Sequence, residues 1–294
     1  MDLPQSPSEL AEQLDTVDYL ADEGLATAAF LALRMGRPLF VEGEAGVGKT
    51  ALAQALADVL QTPLIRLQCY EGLDAAQALY DWDFPRQLLH LRASEAAGVP
   101  DADELEQELY DRRFLLARPL LQAVETSTAD HPAVLLVDEV DRADDEFEAF
   151  LLEVLSDFAV SVPEIGIIRA EHPPIVVITS NRTREVHDAL KRRCLYHWLD
   201  HPDFDREVAV IRRRIPGADH RLVADVARAA QRLRSLDLVK PPGLAESIDW
   251  AAALATLGAR SIDRDVAART LGAAVKYRED QERVLAATVE SWLS

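Results

Sequence analysis

The stretch Gly43-Glu44-Ala45-Gly46-Val47-Gly48-Lys49-Thr50 constrains this chain more than any other. It fills every fixed position of the pattern G-x-x-x-x-G-K-[ST], the signature of a loop that binds the phosphates of a nucleoside triphosphate. An apolar run at 39–41 precedes the loop, and residues 50–60 follow it with helical spacing. This strand–loop–helix context is the one that the motif requires, and it disfavours a chance Gly-rich turn.

The residue types of the loop suit phosphate binding. Glycines let the backbone curl so that successive N–H groups point at phosphate oxygens, and the following helix N-terminus adds positive potential. Lys49 is expected to bridge the outer phosphates, and the Thr50 hydroxyl to take one position on Mg²⁺. The residues predicted to bind nucleotide here are Gly43, Glu44, Ala45, Gly46, Val47, Gly48, Lys49, Thr50 and Ala51.

A second motif follows the apolar run 133–137, which is typical of a parallel strand buried on both faces. The run leads directly into Asp138 and Glu139. An aspartate at the end of such a strand can hold Mg²⁺ directly or through water, and a second carboxylate can act as the general base on an attacking water. We therefore predict Asp138 as the metal partner and Glu139 as the base, in preference to an ordinary acidic loop.

Two further positions can complete a phosphoryl-transfer site. Asn181 follows the apolar strand 175–179 and is expected to orient the attacking water or contact the γ-phosphate, although an Asn is also an ordinary turn residue. The basic cluster at 190–194 can supply a cation to the developing charge, including to the site of a neighbouring subunit. The alternative for this cluster is a solvated surface.

Composition limits the class of protein. The 294 residues are 49% apolar and 28% charged, as in a soluble globular protein, and no apolar stretch approaches the roughly 18 residues that span a bilayer. The N-terminus lacks the features of a signal peptide. Cys69 and Cys194 form neither a disulfide framework nor a C-x-x-C site, which fits a reducing cytoplasm.

The net charge of −20 argues against sequence-independent binding of nucleic acid, because neutralising phosphates supplies most of that affinity. A local basic patch could evade this argument. The acidic balance is better explained by solubility, or by attraction of a basic partner surface.

The pattern of elements predicts an α/β nucleotide-binding core at 17–201 with a parallel sheet and helices on both faces, followed by an all-helical domain at 202–294. Residues 1–16, with Pro4 and Pro7, are expected to be a flexible leader. Within the core, 80–85 and 88–92 are predicted as short extended pieces, and 114–126 as a helix interrupted near Pro119. The helices predicted after residue 201 span 204–214, 221–236, 245–257, 264–277 and 279–293.

Together these features resemble the AAA+ ATPases, with Walker A at 43–50, Walker B at 134–139, sensor 1 at Asn181 and an arginine finger. Within that superfamily the chain resembles the MoxR family. The carrying segments are Asp138-Glu139-Val140-Asp141-Arg142-Ala143, similar to D-E-[IV]-[ND]-R-A, and Leu151–Leu155 followed by the predicted hairpin at 160–168. Tyr19 and Leu20 stand at the spacing where that family holds the adenine. The resemblance covers roughly residues 17–290.

The resemblance implies an ATP- and Mg²⁺-dependent machine, commonly hexameric, that remodels or matures protein clients, including metalloenzymes, together with a von Willebrand factor A domain partner. It further implies that Arg193 is the finger, acting in trans, with Arg192 in reserve, because Arg193-Cys194 is similar to the R-[FC] of the family. Segments 42–47 and 80–82 are similar to the subgroup that accompanies carbon-monoxide-dehydrogenase-type molybdenum hydroxylases. No membrane association is implied.

One segment departs from the family. MoxR-like proteins carry a sensor 2 arginine at the start of a lid helix, whereas the matching stretch here, residues 240–247, contains no arginine. Lys240 or a residue elsewhere could take that role, or the role is absent. This departure keeps a second function open, a binding module gated by nucleotide with incidental hydrolysis. A third is a nucleic-acid motor or clamp-loader-type subunit, against which the acidic balance argues.

Overall fold

The strands of the protein define where its site lies. The computed structural model of the chain describes residues 3–96 and 102–287. In these ranges the strands are β1 (Leu39–Glu42), β2 (Leu64–Gln68), β3 (Tyr80–Trp82), β4 (Leu115–Ala117), β5 (Val134–Asp138), β6 (Ala159–Val162), β7 (Gly166–Arg169), β8 (Ile175–Ser180) and β9 (Leu195–Trp198).

The helices surround this framework and continue beyond it. They are α1 (Pro7–Thr16), α2 (Glu23–Met35), α3 (Lys49–Leu60), α4 (Ala75–Leu79), α5 (Phe84–Ala96), α6 (Ala102–Leu109), α7 (Pro119–Thr126), α8 (Asp145–Asp157), α9 (Asp188–Arg193), α10 (Phe204–Arg214), α11 (His220–Arg234), α12 (Leu244–Thr256), α13 (Arg264–Ala274) and α14 (Arg278–Ala286). Short 3-10 turns lie at Arg112–Phe114 and Val140–Arg142. Within the described ranges, no helix combines the length and the apolar character needed to cross a membrane.

The main sheet has five strands in the order β2-β5-β8-β1-β9, and every pairing in it is parallel. Successive side chains of a strand point to opposite faces, and two apolar clusters accordingly flank the sheet. Leu135 and Val137 pack against α7 and α8, while Val134 and Leu136 pack against α1, α2 and α3. Burial on both faces explains the continuous apolar runs of β1, β5 and β8.

The N-terminal prediction was wrong for most of the leader. Residues 7–16 form helix α1, with Pro7 in its first turn and the Ser6 side chain accepting a hydrogen bond from the Glu9 backbone. Leu10 and Leu14 of this helix are fully buried in the cluster that also contains α2 and α3. The periodicity of those two leucines outweighs the polar composition around them.

The connection between β2 and β5 also differs from the prediction. Residues 88–92 belong to the helix α5 and are not extended, while 80–82 do form a strand. The segment 114–126 is not one interrupted helix, because Leu115–Ala117 pairs antiparallel with Tyr80–Trp82 and only Pro119–Thr126 is helical. The predicted hairpin at 160–168 is confirmed as β6 and β7.

Up to residue 287, where the described part of the chain ends, β9 is followed by helices alone, and we call α10–α14 the lid. The lid has its own apolar cluster, centred on Trp250, Leu233 and Leu254, each fully buried. Aspartates supply the N-caps of α10, α11 and α13, which explains part of the acidic surplus in the sequence. The predicted class, a parallel sheet between helices followed by a helical region, is confirmed. The part of the last predicted helix beyond residue 287 lies outside the described residues.

Candidate nucleotide site

A cavity of about 520 Å³ lies between the carboxyl edge of the main sheet and the lid. Parallel strands bring the loops after their carboxyl ends to one edge, which is where open α/β sheets bind ligands. The core lines the cavity with Asp18, Tyr19, Leu20, Ala45, Gly46, Val47, Gly48, Lys49, Thr50, Ala51, Asp138, Glu139 and Asn181. The lid and the segment leading into it contribute Leu199, Asp200, Pro202, Arg206, Val210, Arg214, Leu244, Ala245, Ile248 and Asp249.

The glycine-rich loop has the backbone conformation that its glycines allow. Gly46 and Gly48 have φ values of +79° and +104°, in the region that L side chains rarely adopt. A Cβ on Gly43 would lie 2.3 Å from the carbonyl oxygen of Leu199, so this glycine is required by close packing. The loop therefore has a curled path that larger residues at these positions would strain.

Lys49 lies inside the loop, with 6% of its surface exposed. Its Nζ donates hydrogen bonds to the carbonyl oxygens of Gly43, at 2.7 Å, and Glu44, at 2.6 Å. Burial lowers the pKa of Lys49 to about 8, and the nearby carboxylates of Asp141, Asp138 and Glu139 oppose that shift. The lysine is thus charged at neutral pH but holds its proton less firmly than an exposed lysine.

Asp138 is the buried acid at the end of β5, with 1% of its surface exposed. The hydroxyls of Thr50, at 3.0 Å, and Thr179, at 2.5 Å, both donate to its Oδ1. Its Oδ2 accepts a hydrogen bond of 2.6 Å from Arg66 of β2, which also forms an ion pair with it. The structure therefore joins the two predicted metal partners, Thr50 and Asp138, and adds a cation that the sequence analysis did not identify.

Glu139 is held between two amides. The side chain of Asn181 donates to its Oε1 at 2.9 Å, and the side chain of Gln68 donates to its Oε2 at 3.0 Å. Its backbone has a left-handed φ of 55°, and its N–H donates to the Thr179 hydroxyl at 2.9 Å. Gln68 also accepts from Arg66 at 2.6 Å, so the two β2 side chains connect both acids. The predicted base and sensor asparagine are in direct contact.

Asp141 is a third residue, after Arg66 and Gln68, that was not predicted from the sequence as a site element. It is 2% exposed and accepts hydrogen bonds from the backbone N–H groups of Asn181, at 3.1 Å, and Thr183, at 2.8 Å. The Thr183 hydroxyl donates to it at 2.6 Å. Asp141 therefore fixes the loop that carries Asn181, and the signal available in the sequence was an acid two residues after Glu139.

Tyr19 and Leu20 lie where the resemblance expects the adenine. The Tyr19 hydroxyl is 3.4 Å from the Gly48 carbonyl oxygen, to which it donates, and burial raises the pKa of this phenol. Arg206 of α10 donates to the Leu20 carbonyl oxygen and binds Asp22 at 2.8 Å. This end of the cavity is thus formed jointly by the segment before α2 and the first lid helix.

The start of α12 approaches the phosphate loop through backbone contacts. The Ala245 N–H donates to the Gly46 carbonyl oxygen at 3.2 Å, and a Cβ on Gly243 would lie 2.7 Å from the Ala45 carbonyl oxygen. Lys240, the residue considered as a substitute for sensor 2, does not line the cavity. The lid arginines that do line it are Arg206 and Arg214, both on α10.

Arg193 is not brought to the cavity of its own chain. It is exposed at the end of α9, and its side chain donates to the hydroxyl of Ser156 in α8. Arg192 is also exposed and pairs with Asp188 of the same helix at 3.7 Å. Neither candidate finger therefore completes the site within one chain.

The residues present fit a nucleoside triphosphate and Mg²⁺. The positive-φ glycines form a cradle, and a hydroxyl and a carboxylate oxygen adjoin at its mouth, 3.0 Å apart. Within the described residues no group of three or more His, Cys, Asp and Glu side chains could hold a metal ion. One carboxylate with one hydroxyl is the protein contribution expected when Mg²⁺ is bound largely by phosphates and water.

Comparisons with known proteins concern the domain family and the fold. Residues 23–163, slightly under half of the chain, match the family described as the AAA ATPase domain. The gas vesicle ATPase GvpN1 of Halobacterium salinarum is 23% identical over 211 residues, which are 69% of this chain and 58% of that protein. The chain thus spans less than two thirds of the length of this relative. The domain match confirms the prediction of an ATPase at the level of residues 23–163.

One of the solved structures found to be similar supports the fold. A proline-to-glycine mutant of the Thermotoga maritima RuvB protein aligns with 92% of this chain and 73% of its own, at 17% identity and a TM-score of 0.50. The RuvB Holliday junction branch migration motor of the same organism gives a TM-score of 0.47 at 15% identity, with 92% and 72% of the two chains covered. At 17% identity, the likeness to the proline-to-glycine mutant concerns the fold alone.

Proposed function

We propose that the chain is a Mg²⁺-dependent ATP hydrolase whose turnover drives the remodelling of a protein client. One observation carries the hydrolytic part of this proposal. The Glu139 carboxylate is held between the amides of Asn181 and Gln68, next to an acid, Asp138, that contacts Thr50 of the phosphate loop. A carboxylate so fixed beside a phosphate cradle is placed to polarise water.

Each site residue has one role in the proposal. The N–H groups of residues 45–50 and Lys49 bind the phosphates, and Thr50 and Asp138 hold Mg²⁺, which when bound neutralises charge on the phosphate oxygens. Glu139 takes the proton of the attacking water, and Asn181 fixes the orientation of that carboxylate. Tyr19 and Leu20 line the end of the cavity that is proposed to hold the nucleoside.

The active form in this proposal is a homo-oligomer, such as a hexamer. Its support is the location of Arg193, which is exposed and does not line the cavity of its own chain, while phosphoryl transfer benefits from a cation on the developing charge. A neighbouring subunit can supply that cation. A ring in which each chain donates Arg193 to the next site is a heterologous, closed arrangement.

The client and partner are proposed from resemblance. The motif at 138–143 and the helix and hairpin that follow resemble the MoxR family, and similarity to the gas vesicle ATPase GvpN1 is in accord with that family. On this basis the client is a protein, such as a metalloenzyme under maturation, and the partner carries a von Willebrand factor A domain. The chain would then belong to a group of chaperone-like ATPases, with the subgroup associated with molybdenum hydroxylases as the finer assignment.

Steady-state ATP hydrolysis by the wild type and by Glu139→Gln, at increasing protein concentration, tests the proposal. The wild-type rate per subunit should rise with concentration as oligomers form, and the variant should lose about 10²- to 10⁴-fold in turnover. Binding of a fluorescent ATP analogue should survive in the variant, because the glutamine keeps the shape of the side chain. Equal turnover in the two proteins would exclude hydrolysis as the function.

A nucleotide-gated binding module remains the second candidate. The observation that favours it is the start of α12, where Gly243 packs on the phosphate loop and no arginine is present. Glu139→Gln, loaded with ATP or with ADP, can be used to capture proteins that are then identified by mass spectrometry. Capture that depends on nucleotide while wild-type turnover stays at background would favour the binding module.

A further inference from the structure

The strand that leads into the phosphate loop is also attached to the helix that carries Arg193. Arg37 lies two residues before β1, and its guanidinium donates to the carbonyl oxygens of Arg192, at 2.9 Å, Arg193, at 3.1 Å, and Cys194, at 3.2 Å. Arg192 and Arg193 are the last residues of α9 and Cys194 is its C-cap, and carbonyls at this end of a helix lack partners inside it. One side chain therefore holds the end of α9 against the start of β1.

A second attachment lies at the other end of β1. Glu42, the last residue of this strand, is 3% exposed, and its Oε1 lies 3.5 Å from Nζ of Lys191 in α9. The Lys191 ammonium also stands over the ring of Phe40, 5.7 Å from its centroid. A buried carboxylate paired with a half-buried ammonium is a stronger constraint than an exposed ion pair, because water screens it less.

Glu42 is joined to the site on its other side. Its carboxylate accepts from the Tyr196 hydroxyl at 2.9 Å and lies 3.4 Å from the donating Ser180 hydroxyl. Ser180 immediately precedes Asn181, and Glu42 immediately precedes Gly43 of the phosphate loop. One buried carboxylate thus adjoins the phosphate loop, the strand end that carries Asn181, and the helix that carries Arg193.

We propose that Arg37 and the Glu42–Lys191 pair are positioning residues that hold Arg193 at the angle at which it enters the site of the neighbouring subunit. This inference rests on the proposed hydrolysis with Arg193 acting in trans. Two attachments to one short strand fix both the location and the direction of α9, a helix of six residues that could not hold its direction alone. They also give the phosphate loop of one chain a direct mechanical connection to the cation that the same chain offers to the next.

Subunit mixing tests this inference, because a misplaced finger damages the neighbour's site and leaves its own intact. Arg37→Met and Lys191→Met should each lower turnover by about 10- to 100-fold, the cost of a small misplacement, with ATP affinity unchanged. Lys191→Arg should restore most of the rate by keeping the charge. Asp188→Asn is the matched control, since it removes an ion pair from the exposed side of the same helix and should keep the wild-type rate.

Each variant is then mixed with Lys49→Ala, which has an inactive site but an intact finger. In a random equal mixture, about half of the competent sites face a Lys49→Ala neighbour, so turnover per competent site should rise to about half that of the wild type. Arg193→Ala, mixed in the same way, provides the reference. Thermal melting and binding of a fluorescent ATP analogue identify any variant that is simply misfolded.

The outcomes distinguish failure of the positioning role from failure of Arg193 as a finger in trans. Rescue by Lys49→Ala of Arg193→Ala, of Arg37→Met and of Lys191→Met supports the inference. Two results would overturn the inference and leave the proposed function intact. One is rescue of Arg193→Ala without rescue of Arg37→Met and Lys191→Met, and the other is full activity of Arg37→Met and Lys191→Met when each is measured without mixing. If unmixed Arg193→Ala is fully active, or if Lys49→Ala does not rescue it, Arg193 does not act in trans. The positioning role of Arg37 and Lys191 is then excluded as well.

Discussion

The two walls of the nucleotide cavity are built differently. The core wall, formed by the phosphate loop, Asp138, Glu139 and Asn181, is a continuous hydrogen-bonded cluster in which each acid has several donors. The lid wall is formed by mostly apolar residues of α10 and α12, with Arg214 and Asp249 beside them. Arg206, also in this wall, binds the Asp22 carboxylate and the Leu20 carbonyl oxygen. We therefore expect the core wall to fix the proposed reacting groups and the lid wall to set how closely the cavity fits its ligand.

This contrast predicts that damage to the core wall lowers turnover, whereas damage to the lid wall lowers affinity. Buried polar clusters lose function sharply when one member is removed, because the remaining groups are left without partners. Apolar contacts and exposed ion pairs contribute smaller amounts that are lost singly. The four predictions below test this division.

The largest effect is expected for Asn181→Ala. Removing the amide frees the Oε1 side of Glu139, which then keeps only Gln68 as a side-chain amide partner. Turnover should fall by roughly 10²- to 10³-fold, as when one fixed donor is removed from an active site. ATP affinity, measured by fluorescence titration, should stay within about twofold. A loss of affinity in place of turnover would place Asn181 with the lid wall in function.

Gly243→Ala should act on affinity alone. The added Cβ would meet the Ala45 carbonyl oxygen at 2.7 Å and Glu246 Oε2 at 2.8 Å, so the start of α12 must retreat from the phosphate loop. Overpacking of this kind costs about 1 to 3 kcal/mol, and ATP affinity should weaken by roughly fivefold to a hundredfold. Gly217→Ala is the matched control, because nothing lies within 4 Å of a Cβ at that lid position. Equal affinities in the two variants would contradict a closely fitted lid.

The pH dependence of ATP binding should report Lys49. Burial lowers the pKa of Lys49 to about 8 in the free protein, and a bound anion favours the protonated form. Affinity should therefore be constant well below pH 8 and decrease above it, by roughly tenfold at about pH 9, as binding comes to require proton uptake. Lys49→Arg should flatten the curve, since arginine stays charged there. A wild-type curve without a break would exclude the titrating lysine.

The smallest effect is expected for Arg206→Met. This change removes the contacts to Asp22 and to the Leu20 carbonyl oxygen but keeps an unbranched stem on α10. ATP affinity should weaken by about three- to tenfold, because the net contribution of an ordinary hydrogen bond is about 0.5 to 1.5 kcal/mol. Arg213→Met serves as the control, because Arg213 lies on the same helix and binds Asp15 without lining the cavity. If both variants bind ATP equally well, the nucleoside end does not depend on Arg206.

The core wall was largely predictable from the sequence, and the reason is geometric. In a parallel sheet, residues that follow buried strands meet at one edge, so motifs after β1, β5 and β8 had to converge. Arg66 and Gln68 were not predictable, because their contacts with Asp138 and Glu139 depend on β2 pairing beside β5 with Gln68 opposite Asp138. Neither strand order nor register follows from one sequence. Arginine and glutamine are ordinary residue types for a strand, so the identities of Arg66 and Gln68 alone give no signal.

The lid wall could not be derived in the same way. The predicted lid helices closely match the observed ones, but which face of each meets the cavity depends on how the lid packs on the core. Helix α1 was missed although Ser6, Pro7 and Glu9 together form a standard helix start. Reading prolines as signs of looseness was the error, since a proline in the first turn of a helix is favoured.

Two aspartates at the ends of the segment 15–22 form ion pairs with the first lid helix, α10. Asp15 binds Arg213 at 2.7 Å, and Asp22 binds Arg206 at 2.8 Å. The two arginines are seven residues apart, which places them on one face of α10. Any rotation of α10 must therefore break both ion pairs or carry this segment, including Tyr19, along with it. The segment 15–22 thus links α10 to the phosphate loop. A rotation of α10 that carried this segment along would draw the Tyr19 hydroxyl away from the Gly48 carbonyl oxygen and so change a backbone contact of the phosphate loop.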